Sequence, residues 1–145
     1  MLKTNKDFIV KGPISISKIK EATKTGNNKN SGAHASFIGQ VRADDIDGKI
    51  VKEIEYSAYE EMVIVELNKI IADISTKYDD LQQIIILHSI GSVKAGENSL
   101  FVFISAGHRK NVFIALNDIV NQIKKRVAIW KKEIFEDASY VWTEN

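Results

Sequence analysis

Two stretches of this chain step between apolar and polar residues with a period of two, and a turn signal lies between them. Over residues 33–41, Ala33, Ala35, Phe37, Gly39 and Val41 share one side, and His34, Ser36, Ile38 and Gln40 share the other. The alternation returns over residues 50–59. A strand sends successive side chains to opposite faces, so both stretches read as strands. Residues 43–49 separate them and hold Asp44-Asp45 and Asp47-Gly48, the latter suited to a tight hairpin turn. The expectation is that the two strands pair as one hairpin, which commits the chain to antiparallel sheet.

Helices complete the class. Residues 60–78 carry Val63, Leu67, Ile70 and Ile74 at three-to-four spacing, with Glu60 and Glu61 in the first turn, where the helix dipole favours acids. Residues 111–127 carry a second stripe: Phe113, Leu116, Val120, Ile123 and Val127. Phe8-Ile9-Val10 reads as a short strand stopped by Gly12-Pro13, and Ser15 as the cap of a short helix with Ile16 and Ile19 inward. Residues 83–88 and 99–105 read as further strands, 91–98 as a loop with two glycines, and 140–142 as a last short strand. Residues 23–32 contain no bulky apolar side chain and read as a mobile surface loop. The fold class expected is α+β, a mainly antiparallel sheet with two long helices, formed by residues 1–145 as a single domain.

Composition removes several function classes. The 145 residues include no cysteine, which excludes disulfides, thiolate metal sites and a cysteine nucleophile. Sulfur chemistry here would need sulfur carried in by another molecule. His34, His88 and His108 are far apart in sequence, and the acids at 44, 45 and 47 lack the calcium-loop pattern, so no metal is expected. Net charge is +1, with no basic stripe, which argues against nucleic acid and leaves any cationic site local. With neither an apolar leader nor a membrane-length apolar run, a cytoplasmic location is expected.

The local cationic site is conspicuous. Residues 123–133 place five cations around the apolar run Val127-Ala128-Ile129-Trp130. On a helical wheel Lys124 lies roughly 65° from the centre of the second stripe and Lys125 roughly 165° away. Lys124 thus reads as a core-edge lysine whose amine can be desolvated and so deprotonated more easily. Arg42 stands at a strand end, and Ala106-Gly107-His108-Arg109 joins a strand to a helix; both suit an anion such as phosphate.

Five segments, in order, resemble one family. They are Gly32-Ala33-His34-Ala35-Ser36-Phe37-Ile38-Gly39-Gln40-Val41-Arg42; Ile54-Glu55-Tyr56-Ser57-Ala58-Tyr59-Glu60-Glu61-Met62; His88-Ser89-Ile90-Gly91 with Gly96-Glu97; Ser105-Ala106-Gly107-His108-Arg109; and residues 123–133. Together they resemble the large, catalytic subunits of molybdopterin synthase. The resemblance implies a hammerhead-type α/β architecture. It also implies a sulfurtransferase that converts cyclic pyranopterin monophosphate to the molybdopterin dithiolene. Sulfur would come from the C-terminal thiocarboxylate of a small ubiquitin-like subunit, with two large subunits forming a homodimer inside a heterotetramer. By matching position, Lys124 and Lys131 fall on the family's catalytic lysines. Phe37, Gln40, Val41, Arg42, His108, Arg109, Lys132 and Glu133 fall on substrate-binding segments.

The chain departs from the family at three positions: Ala128 where proline is usual, Ser89 where arginine is common, and His34 where an aliphatic is common. The competing reading is a non-catalytic module that binds an anionic ligand or a partner's C-terminal tail. Lys124 separates the two, because an acid/base needs its amine inside a closed pocket, whereas a binder can use exposed cations.

Overall fold

The computed structural model describes residues 2–24 and 28–144. In chain order its elements are β1 (Lys3–Thr4), β2 (Ile9–Lys11), α1 (Ile16–Thr23), β3 (Ala33–Gln40), β4 (Asp45–Ile46), β5 (Lys49–Ser57), α2 (Glu60–Lys77), β6 (Leu81–Lys94), β7 (Asn98–Ala106), a 3-10 turn (Arg109–Asn111), α3 (Val112–Arg126), β8 (Trp130–Phe135) and β9 (Tyr140–Glu144). The main path of the sheet runs β3-β7-β6-β5-β8-β9, all antiparallel, while β1 and β2 join β6 in parallel. The α+β class therefore holds.

The central strand explains the core. β6 holds the run Ile84-Ile85-Ile86-Leu87, apolar on both faces, and both faces are covered. Ile84 and Ile86 join Val102, Ile104, Leu67, Ile70 and Ile119 in the main core. Ile85 and Leu87 pack with Ile14 and Phe101 on the other side. Ser15 caps α1 by accepting from the Lys18 amide at 3.2 Å.

Several expectations are corrected. Residues 33–41 and 50–59 do not pair with each other: β3 pairs β7, while β5 lies between β6 and β8. The hairpin turn is real but short, closing β4 on β5, with Asp47 at φ 54° and Gly48 at φ 83°, both in the left-handed region that a two-residue turn requires. The glycines at 91 and 96 do not mark one long loop. β6 continues through Gly91 to Lys94, exchanging β2 for β5 as its neighbour at that point. Ile16 points outward, 69% exposed, while Ile19 packs inward. The fourth residue of the 23–32 loop reading and its two neighbours, residues 25–27 in all, lie outside the described residues.

The stripe of α3 is also rotated. Val112, Ala115, Ile119 and Ile123 are buried, whereas Phe113 is 70% exposed. This turns the buried face by roughly 75° from the expected one. Small Ala115 allows close approach to the sheet, and bulky Phe113 is left outside. Lys124 thus stands roughly 140° from the centre of the buried face rather than at the core edge.

Candidate active site

The last turn of α3 and the start of β8 build the cationic wall. α3 ends at Arg126, whose guanidinium donates to Glu66 at 2.7 Å and to Asp73 at 2.8 Å on α2. Buried Val127 and Ile129 then anchor the link into β8. Lys124 precedes the link and Lys131 follows it, so two amines seven residues apart in sequence arrive from different elements.

They meet in one cavity of about 350 Å³. Its β3 side is formed by Phe37, Gln40, Val41 and Arg42. A shift of register between Gly39 and Gln40 re-aims the end of β3, and Val41 is tied to the turn before β7 through bonds to Glu97 and Gly96. The floor carries Tyr56 of β5 and Ser99 of β7, and Glu133 stands two residues beyond Lys131 on the same face of β8.

Electrostatics follow from this packing. Lys124 keeps more than a third of its surface open, but its amine loses solvent in the wall. That desolvation, and then the positive charge of Lys131, hold its pKa below the ordinary lysine value. Arg42 is largely open to solvent and weakly paired with Asp44 at 3.3 Å. Beneath the floor, His88 is 4% exposed, and its Nδ1–H donates to the Ser89 carbonyl at 2.8 Å. Burial, reinforced by the charges of Lys124 and Lys131, lowers its pKa to about 4, so it is a neutral imidazole near pH 7.

The cavity therefore brings together Phe37, Gln40, Val41, Arg42, Lys124, Lys131 and Glu133. It does not bring in three other residues of the sequence reading. Lys132 points to the opposite face of β8, its Nζ 4.2 Å from the Tyr140 ring centroid and 5.8 Å from that of Trp142. His108 and Arg109 lie beyond the far end of β7, where the His108 amide donates to Asp80 at 2.8 Å. Conversely, Tyr56, Ser99 and His88 escaped the sequence reading as site residues. Tyr56 and His88 sit in the quoted segments, but Tyr56 reads there only as part of an alternating strand and His88 as the end of an apolar one.

Cations on three sides of a pocket bind an anion, and a lysine with a lowered pKa gives up its proton more readily than an ordinary one. Among the described residues no helix is long and apolar enough to cross a membrane.

Comparison with known proteins places this architecture. The family model described as MoaE protein matches residues 9–126. The molybdopterin synthase catalytic subunit of Dictyostelium discoideum is 41% identical over 117 residues, covering 80% of this chain and 73% of that protein. The Drosophila willistoni protein of the same name is 44% identical over 115 residues, 79% of this chain but 31% of its own length. The chain thus spans about a third of the length of the fly relatives it matches. The crystal structure of molybdopterin synthase from Staphylococcus aureus superposes with a TM-score of 0.82 at 32% identity, covering 95% of this chain and 96% of that one. A subunit in the complex of subunits 1 and 2 of molybdopterin-converting factor from Helicobacter pylori shares the fold, with a TM-score of 0.78 at 20% identity and coverage of 94% and 88%. On sequence and fold, the chain belongs to the MoaE protein family.

Proposed function

We propose that this chain is the sulfur-transferring subunit of a molybdopterin synthase. It moves sulfur from the C-terminal thiocarboxylate of a small ubiquitin-like protein onto cyclic pyranopterin monophosphate, in the biosynthesis of the molybdenum cofactor. The observation that supports this reading most is the convergence of Lys124, Lys131 and Arg42 on one cavity. The cytosol, where such soluble precursors are made, is the proposed location, and residues 1–145 act as one domain.

For each sulfur, a carbon–oxygen bond of the substrate and the acyl carbon–sulfur bond of the carrier are exchanged. A carbon–sulfur bond forms on the substrate, and an acyl carbon–oxygen bond leaves the carrier as a carboxylate. No oxidant or reductant is needed. The leaving oxygen requires a proton and the acyl oxygen requires a positive neighbour as charge builds on it. Lys124 is assigned as the acid/base because its proton is held loosely. Lys131 supplies fixed positive charge, and Arg42 at the rim holds the substrate phosphate.

The same reading includes a pair of large subunits within a heterotetramer. β3 is an edge strand, and Ala33 at its start is the register partner of Ala106, just before His108. Two such edges pairing antiparallel about a twofold axis would carry His108 and Arg109 of a second copy toward Arg42. That accounts for binding residues that miss the cavity of their own chain.

Dithiolene formation, measured after mixing the chain with thiocarboxylated carrier and cyclic pyranopterin monophosphate, tests the reaction. Lys124→Ala and Lys131→Ala should each lower turnover by about 10²-fold or more. Near-normal turnover in both removes the assignment. Substrate binding without any sulfur transfer in the unaltered complex would favour the non-catalytic binding module.

A further inference from the structure

The cationic wall accounts for an anion, but not for the neutral hydroxyls on the floor. Tyr56 is 6% exposed and Ser99 8% exposed, and both line the cavity. The Ser99 hydroxyl lies close enough to the Tyr56 phenol to act on it. Two hydroxyls carry two protons, and one mutual bond uses only one of them. Even if the two bond each other, one O–H remains for a third group, and both residues line the cavity.

The phenol is held firmly. Tyr56 stands across from Lys131 on one side of β5 and from Gly91 on the other. Gly91 stands at φ 93°, in the left-handed region that favours glycine. The imidazole of His88 meets the Tyr56 ring edge-on, with centroids 5.6 Å apart and planes at 82°. Burial pushes the phenol pKa up, so it keeps its proton beside the lysines. Glu133, close enough for its charge to act on Tyr56, adds a carboxylate acceptor on the same side of the cavity.

We propose that the Tyr56–Ser99 hydroxyl pair, with Glu133 beside it, reads the heterocyclic end of the substrate and fixes which way round the substrate lies. A donor next to an acceptor complements the carbonyl and N–H edge of a lactam or amino-pyrimidinone ring. Arg42 takes the phosphate end, and the two lysines face the reacting centre. Neutral donors discriminate well here, because a ring lacking the matching acceptor leaves a buried hydroxyl unpaired. The inference rests on the substrate proposed above, and makes Tyr56 and Ser99 specificity-determining residues rather than members of the acid/base machinery.

Equilibrium binding to the full chain tests it with two probes, cyclic pyranopterin monophosphate and inorganic phosphate. Tyr56→Phe keeps the ring against His88, and Ser99→Ala removes only an oxygen, so each variant checks the other against misfolding. Each should bind the heterocycle about tenfold more weakly. The double variant should lose less than the sum of the two, because neighbouring hydroxyls that serve one end of the ring are coupled. Affinity for inorganic phosphate should stay as in the unaltered chain. Undiminished heterocycle binding in both variants overturns this inference alone, as does an equal loss for both probes. An unaltered chain that binds phosphate but not the heterocycle overturns this inference and the substrate assignment together. Hydroxyl-dependent binding without sulfur transfer upholds the recognition and sinks the reaction.

Discussion

Lys131 and Lys124 are linked through charge rather than through a bond: the ammonium on β8 makes it harder for the amine at the end of α3 to stay protonated. Lys131→Met removes the charge and keeps the stem. The pKa of Lys124 should then rise toward the ordinary value but stay below it, since desolvation is the larger cause and remains. Side-chain NMR titration of Lys124 reads this directly. An unmoved titration would mean that the two amines do not sense each other.

Acid should destabilise the protein through His88. Between pH 6.5 and about 4 the unfolded chain takes up a proton at this position and the folded chain does not. Its folded pKa is lowered, so this stability is present above pH 6.5 and lost as pH falls through that window. The full difference is about 3 kcal/mol. Urea midpoints measured across the window should fall for the unaltered chain and fall less for His88→Gln. Parallel slopes in the two proteins would remove His88 as the cause.

Arg42 is partly occupied by Asp44. Asp44→Asn should free it and tighten the binding of inorganic phosphate, while Arg42→Ala should weaken that binding about tenfold. Titration calorimetry at two salt concentrations would show both effects shrinking as salt rises. Opposite signs for the two substitutions are the expected signature.

Arg126 secures the helix end that carries Lys124, through Glu66 and Asp73. Arg126→Met should lower Tm by about 2–4 °C and make the last turn of α3 exchange its amide protons faster. Unchanged exchange at 123–126 would show that Val127 and Ile129 alone hold the turn.

Gly32 is required by a close approach. A Cβ there would strike the Gly107 carbonyl, so β3 could not start beside the end of β7. Gly32→Ala should cost about 1–3 kcal/mol in chemical denaturation. A loss much below that would mean the backbone at 107 yields easily.

Local patterns carried the sheet class and the long helices. The α2 stripe of Val63, Leu67, Ile70 and Ile74 is buried as its spacing implies. Strand pairing was not legible, because β3 finds its partner β7 across many intervening residues and nothing in the alternation of 33–41 names that partner. β8 was hidden for a similar reason: Trp130-Lys131-Lys132-Glu133 reads as a basic run, and becomes a strand only between β5 and β9. In α3, bulk pointed to Phe113, whereas close packing selected Ala115. The lysines came from the resemblance to a family, and the Tyr56–Ser99 pair lay beyond any local spacing because its members sit on different strands.

β6 presents one continuous flank that β1, β2 and β5 tile in turn, at Gln83–Ile84, His88–Ile90 and Gly91–Lys94. Two of these tiles belong to the first eleven residues. Clipping those residues by protease would strip the greasiest ribbon in the molecule of its guard and leave its amides free to recruit neighbours. Self-association after such trimming, rather than simple unfolding, is how damage to this protein should announce itself.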